Sequence, residues 1–417
     1  MVERDRPADA DPLAWIRAQT PVLQSLAEDS AERSPLDGLT VAVASHLEPK
    51  TGVFVETLHE AGADVLFTGS NPHSVHGDVV AHLDDLDGVR GFAWEGMDHD
   101  DLDIAQHELL AAGPDVVCSD GAELLVKAHA EHPEVADDLL GAAEQTTSGV
   151  SRVEAMDADG ALSVPVYRVN HTPVKHWFDN VHGTGESALA NVMLSTNTVL
   201  SGSTVVVAGY GYVGRGIAQK ARGIGARTVV TEVDPRKALQ AHMHGHEVRP
   251  MAEAASEGDL FVTATGNCHV IREEHFDRMQ DGTVLCNVGH RNVEIAIDDL
   301  RSMSVDRAEM GDGITCFELP DGRVVNLLAD GELVNLAGPF SQGHPAGVMD
   351  TTFGAMFATV RHLATADEVP APGAYDVPTR IDREVASRKL DALGVDVDEM
   401  TDLQEEYLAS WDRESVV

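Results

Sequence analysis

The stretch from Thr204 to Glu232 constrains this chain more than any other. An apolar, β-branched run (Thr204 to Ala208) feeds Gly209, Gly211 and Gly214, a helix-like segment follows from Val213 to Arg222, and a second strand from Arg227 to Thr231 ends on Glu232. Strand, glycine turn, helix, strand and acid in this register read as a dinucleotide-binding turn: the first glycine allows the tight turn, the second lets backbone approach a pyrophosphate, and the third lets helix pack on strand. The pyrophosphate would lie on the helix N-terminus, where free N–H groups and the dipole favour an anion. Glu232, at the tip of the second strand, is placed to accept both ribose hydroxyls of NAD and to repel the 2′-phosphate of NADP.

The turn begins in mid-chain, so about half of the 417 residues precede it and need another role. There, short apolar runs at Leu39 to Ala44, Val65 to Phe67, Gly91 to Trp94 and Val116 to Cys118 read as buried strands. Amphipathic segments at 52–61, 78–86, 101–112 and 121–131 alternate with them. The expected fold class is therefore α/β, with two doubly wound, Rossmann-like domains and a helical C-terminal extension. Ligands in such folds sit beyond the carboxyl ends of strands, which draws attention to Ser45 to Thr51, Gly69 to His73, Trp94-Glu95 and Ser119 to Gly121.

Composition removes several function classes. Seventy acidic residues against 29 basic ones, only six of them lysine, give a net charge of −41. Acid spread over a chain with an ordinary hydrophobic fraction resembles proteins of salt-loving organisms, and no basic patch exists to neutralise nucleic acid phosphates. Cys118, Cys268, Cys286 and Cys316 lie too far apart for a zinc motif or disulfide framework, which fits a reducing cytoplasm. No membrane span or signal segment is expected. His242, His244 and His246 lack a completing ligand, so no metal is expected. Phe276 to Met279, Phe353 and Phe357 read as core.

A further cluster precedes the glycine turn: Glu144-Gln145-Thr146-Thr147-Ser148-Gly149, then Asn170 to Asn180. Lys175 and Asp179 are four apart, which on a helix puts amine and carboxylate on one face, and Trp177-Phe178 between them suggests partial burial. These segments, with those at His46, His-Gly-Thr-Gly-Glu-Ser (182–187), Cys-Asn-Val-Gly-His (286–290), Leu-Val-Asn-Leu (333–336) and Gly-His-Pro (343–345), resemble adenosylhomocysteinases in order over nearly the whole chain. The charge and the short ending at Tyr407 to Trp411 resemble an archaeal, halophilic member.

The resemblance implies reversible hydrolysis of S-adenosylhomocysteine to adenosine and homocysteine, with NAD as a recycled prosthetic group in a cytoplasmic homotetramer. It implies that Lys175 and Asp179 serve the 3′-hydroxyl, that His46 and Asp120 serve the 4′-proton and the leaving thiol or entering water, and that Asn180 and His290 hold nicotinamide and sugar. Glu48, Lys50, Gln145 and His344 would meet the substrate, His344 as a gate against the purine. Thr146, Thr147, Ser148, Asn180, Gly209, Gly211, Tyr212, Val213, Gly214, Arg215, Gly216, Glu232, Asn267, Val288, Gly289, His290 and Asn335 would hold the cofactor. It also implies a substrate-binding domain over 1–182, an NAD domain over 183–342 entered by a long helix-like hinge (183–200), a return to the first domain over 343–380 with a loop at 369–375, and an extension over 381–417 whose helices pack on a neighbouring subunit.

The sequence departs from the family on the substrate side. Gln145 stands where a second glutamate is usual, the loop from Asn71 to Asp78 is altered, and His171 replaces an aspartate. Lys50, a cationic donor, suits the O6 of hypoxanthine, so S-inosylhomocysteine remains an alternative substrate. A non-catalytic NAD-binding regulator and a 2-hydroxy acid dehydrogenase, also built of two α/β domains, remain alternatives of other classes.

Overall fold

The computed structural model describes residues 11–416 apart from 290, 312 and 367. The first sheet begins with β1 (Thr40–Ser45), β2 (Asp64–Gly69), β3 (Val89–Gly91), β4 (Val116–Ser119), β5 (Gly141–Glu144) and β6 (Pro165–Arg168). The second contains β7 (Thr204–Ala208), β8 (Arg227–Thr231), β9 (Glu247–Val248), β10 (Leu260–Thr263), β11 (Thr283–Asn287), β12 (Asp306–Gly311), β13 (Ile314–Glu318) and β14 (Val324–Leu328). After it the chain returns as β15 (Gly373–Tyr375), which pairs in parallel with β6. The sheet orders are β15-β6-β5-β4-β1-β2-β3 and β12-β13-β14-β11-β10-β7-β8-β9, parallel except for the β12–β14 meander. In both, order reverses beside the first strand, so each domain presents a switch-point crevice at β1/β4 and at β7/β10.

The inner strands β1, β2, β4 and β5 are buried almost throughout, as expected of a parallel sheet covered on both faces. The third strand lies at 89–91 rather than 91–94: Phe92 and Ala93 are buried after it ends, so their apolar character reflects packing rather than sheet pairing. β15 falls in a segment expected to be a loop; Gly373 has an unusual φ of 151° there.

The segment joining the domains is a π-helix (His176–Gly183) continuous with an α-helix (Thr184–Thr196), which ends where Asn197 turns left-handed with φ 51°. It therefore stops short of residue 200. Gly216, in the helix Tyr212–Gly223, lies so close to this segment that a Cβ would stand 1.9 Å from the Val181 carbonyl oxygen.

The helix Ala346–Thr365 returns to the first domain and packs against the helices Pro21–Ala31, Pro49–Glu60 and Thr379–Leu393. Phe353 stacks on Phe54, with ring centroids 4.8 Å apart. Fully buried Asp350 accepts from the backbone N–H groups of Val22 (3.1 Å) and Leu23 (3.0 Å) and from Lys389 Nζ (2.8 Å). Thr379–Leu393 thus packs within its own chain, with Arg388 bound to Asp29 and Glu384. Asp402–Ala409 contains no buried residue.

The three histidines after the second strand are not brought together. His246 meets Thr228, His244 meets the Tyr210 hydroxyl, and His242 is exposed. No helix is long and apolar enough to cross a membrane among the described residues.

Asp350→Ala leaves an ammonium and two buried N–H groups without their acceptor, and should lower unfolding stability by about 3 kcal/mol. Denaturation in high salt measures this.

Candidate functional site

The carboxyl edges of the two sheets border a cleft of 1720 Å³. On the connecting segment, Lys175 Nζ lies 2.6 Å from Asn180 Oδ1 and 3.0 Å from Asp179 Oδ2. The sequence suggests an α-helical four-residue spacing. The π-helix adds the five-residue relation, so two consecutive side chains address one amine. Asp179, 2% exposed, also accepts from Thr352 Oγ1 at 2.8 Å and contacts His344 Nδ1. Against the cost of burial, the Lys175 ammonium and His344 hold the Asp179 carboxyl well below the usual carboxylate range. Trp177 and Phe178 are 53% and 41% exposed, so they do not supply the burial; the return helix does.

Facing this group, His46 and Asp120 follow β1 and β4. His46 Nδ1 lies 2.7 Å from Ser74 Oγ, and Ser74 donates its proton to the Asn71 carbonyl at 2.9 Å. Nδ1 is then the donor nitrogen, and the lone pair of Nε2 faces Asp120 Oδ2, 3.9 Å away. Ser74, which sequence reasoning missed, lies in the altered 71–78 loop; its signal was only that the loop follows β2. The Gln145 amide donates to Asp120 Oδ2 (3.0 Å) and Ser45 Oγ (3.2 Å). A glutamate here would set two carboxylates side by side. Asp120 Oδ1 and Gln145 Oε1 are buried with no partner among the described residues, and both side chains line the cleft.

Glu144 was also missed as a bracing group. Its carboxylate accepts from Gly121 N (3.1 Å), Ala122 N (2.9 Å), Thr146 N (2.8 Å) and Thr146 Oγ1 (2.6 Å), tying the Asp120 loop to the Thr146 loop. Gly149 leaves it room, since a Cβ there would meet the carboxylate at 2.3 Å. His171 is exposed beside Asp376 and takes no part.

Glu48, Thr51, His344, Met349 and Phe353 also line the cleft. The Lys50 ammonium is turned onto the Glu48 carboxylate and the Gln342 carbonyl at 2.5 Å, so Glu48 is the group on the cleft wall. His344 contacts Asp179 through Nδ1 and Thr184 Oγ1 through Nε2 at 3.1 Å, so protein groups engage both ring nitrogens of the expected gate.

The cofactor-side residues Thr146, Thr147, Ser148, Asn180, Gly209, Gly211, Tyr212, Val213, Arg215, Glu232, Asn267, Val288, Gly289 and Asn335 line the cleft. Gly214 and Gly216 instead meet backbone: Cβ atoms there would lie 2.0 Å from Gly209 O and 1.9 Å from Val181 O. The helix Tyr212–Gly223 starts at Gly211 without a side-chain cap, and a Cβ on Gly211 would meet nothing within 4 Å. Open backbone at an uncapped helix start suits a pyrophosphate. Glu232 accepts from the N–H groups of Tyr210 (2.7 Å), Val233 (2.7 Å) and Asp234 (3.0 Å). Asn335 Oδ1 is a buried acceptor without a protein partner among the described residues. These features fit a dinucleotide. Glu294 braces this side, accepting from Thr265 N (2.9 Å), Thr265 Oγ1 (2.7 Å) and Gly266 N (2.7 Å). His290 lies outside the described residues.

A family model for the NAD-binding domain of S-adenosyl-L-homocysteine hydrolase matches residues 180–340, and the model for S-adenosyl-L-homocysteine hydrolase matches 13–131. The chain is 48% identical over 410 residues to an adenosylhomocysteinase of Haloquadratum walsbyi, covering 98% of this chain and 95% of that one. It is 47% identical over 397 residues to an adenosylhomocysteinase of Halobacterium salinarum, covering 95% and 93%. An S-inosyl-L-homocysteine hydrolase of Methanopyrus kandleri is 44% identical over 407 residues, covering 97% and 95%.

Burial pushes the Glu144 carboxyl up from 4.5 to about 7, although its four donors favour the anion. Between those values the unfolded chain binds fewer protons than the folded one, so the stability Glu144 contributes falls as pH rises through that window. Glu144→Gln should flatten the slope of unfolding free energy between pH 5 and 7 by up to about 1.4 kcal/mol per pH unit. Thermal unfolding of both proteins across that range measures it.

Proposed function

The chain belongs to the S-adenosyl-L-homocysteine hydrolase family, and from that premise we propose that it hydrolyses S-adenosyl-L-homocysteine to adenosine and homocysteine with NAD as its cofactor. The observation that carries this reading is that a buried Lys175–Asp179–Asn180 group and the pair His46 and Asp120 line the same cleft as the glycine turn. A thioether offers no easy direct hydrolysis, and NAD, when bound, supplies a hydride acceptor that is regenerated within each turnover.

Lys175, in its neutral amine form, would take the proton of the 3′-hydroxyl through Nζ, with Asp179 and Asn180 fixing the direction of the amine. Oxidation at C3′ acidifies the proton on C4′. His46, through Nε2, removes that proton, and Asp120 serves the departing thiol and then the entering water. Gln145 holds Asp120 through its amide and offers Oε1 to a ribose hydroxyl. Water adds where sulfur left, His46 returns its proton to C4′ and Lys175 its proton to the 3′-oxygen, which closes a cycle without net oxidation. On the cofactor side Glu232 would hold the adenosine ribose, the N–H groups after Gly211 the pyrophosphate, and Asn335 the nicotinamide amide.

Adenine is favoured over hypoxanthine because the Glu48 carboxylate, an acceptor for a 6-amino group, is on the cleft wall while Lys50 is held by Glu48 and Gln342. The protein works in the cytoplasm at high salt, a reading supported by its charge and free cysteines. It assembles as a homotetramer through its terminal segment, where Leu403, Leu408 and Trp411 are exposed, the last at 98%.

Adenosine and homocysteine should yield the thioether with no net NADH, faster than inosine does. Lys175→Met should retain bound NAD and lose about 10²–10⁴-fold in kcat. Chromatography of products together with cofactor absorbance checks both; steady NADH release would instead indicate a dehydrogenase. Deleting residues 394–417 should reduce the mass found by light scattering, and an unchanged mass would remove that segment from assembly.

A further inference from the structure

Among the guanidinium groups on the cleft wall that have no part in the scheme above, two share one carboxylate. Arg152, on the helix Thr147–Ala158, donates through Nη1 to the Gly121 carbonyl at 3.0 Å and to Glu123 Oε2 at 2.5 Å. Arg291, in the second domain after β11, donates through Nη2 to the same Glu123 oxygen at 3.3 Å. Both arginines line the cleft, whereas Arg249 and Arg272 on the same wall are taken up by Glu247, Glu257 and Glu274. The backbone of Arg291 is itself held, its carbonyl accepting from Asn287 Nδ2 at 2.9 Å.

Their position bears on the leaving group. Gly121, which Arg152 grips, directly follows Asp120, the residue that serves the departing sulfur, and the sulfur of homocysteine is joined by a short aliphatic tail to an α-carboxylate. A guanidinium carries five donors in a rigid fork suited to carboxylates, so one or two protein contacts leave a fork open. Two arginines and one glutamate leave one positive charge, which balances one carboxylate. In a chain of net charge −41, such a surplus at a cleft wall is a local exception.

Resting on the hydrolase reading, we propose that Arg152 and Arg291, held side by side by Glu123, recognise the α-carboxylate of homocysteine. The tail then bridges the two domains, with one arginine contributed by each. The thiol alone would satisfy the chemistry at C5′; the arginine pair adds discrimination for an amino acid over a simple thiol.

The test is thioether synthesis from adenosine with homocysteine or with 3-aminopropanethiol, the same thiol and amine lacking the carboxylate. The unmodified protein, Arg291→Gln and Arg291→Lys are compared. Arg291→Gln should raise KM for homocysteine about tenfold, the loss of one charge-assisted contact. It should leave kcat/KM for 3-aminopropanethiol nearly unchanged, and Arg291→Lys should fall between. Equal losses for both thiols, or an unmoved KM for homocysteine, would overturn the assignment. Adenosine alone tests the underlying reading separately, because its oxidation needs no thiol. If the unmodified protein gives neither bound NADH with adenosine nor thioether with homocysteine, the hydrolase reading falls and this inference with it.

Discussion

The carboxylate of Asp179 is the point on which the rest of the site depends. A buried charge is costly unless it is paired and hydrogen-bonded, and this one is met by Lys175, Thr352 and His344. Lys175 comes from the connecting segment, Thr352 from the return helix and His344 from the turn before that helix. Satisfying one carboxylate therefore requires the chain to leave the first domain, build the second and come back. The amine is aimed as a by-product, because the same ion pair that removes the penalty fixes Nζ against Asn180.

A second level of organisation lies in two buried acids that touch no expected reacting group. Glu144 gathers backbone donors from the loops after β4 and β5, and Glu294 gathers those of the loop after β10. Loops cannot be placed by side-chain packing alone when their backbone must face a ligand, and a carboxylate behind the loop supplies acceptors while leaving the front open. Glycine opposite each acid completes the device: Cβ atoms on Gly149 and Gly289 would collide with Glu144 and Glu294 at 2.3 and 1.8 Å. Each domain uses the same solution at the same topological position.

What the sequence revealed follows from where local rules suffice. The glycine turn was legible because strand, turn, helix and acid are each dictated by neighbours in sequence, and β7 and β8 fall at the expected residues. β5 was not, since Gly-Ala-Ala-Glu has little strand propensity and is held by β4 and β6 on either side. β15 escaped for the same reason, being paired only through β6, far away in sequence. The identities of Lys175, Asp179 and Asn180 were visible, but their geometry was not, because a π-helix is fixed by packing against Gly216 and the return helix. Ser74 was hidden by the irregular loop that carries it, and Glu144 was visible as a letter but not as a brace.

The shortness of these buried contacts separates the site from its surface in ionic strength. Screening in roughly molar salt acts beyond about 3 Å through solvent, so an acidic exterior loses most of its mutual repulsion while contacts from which water is excluded keep their strength. Asp179, Glu144 and Glu294 hold their partners inside that limit or away from solvent altogether. Brine therefore changes the protein's outside and leaves the alignment of its reacting groups nearly as it was.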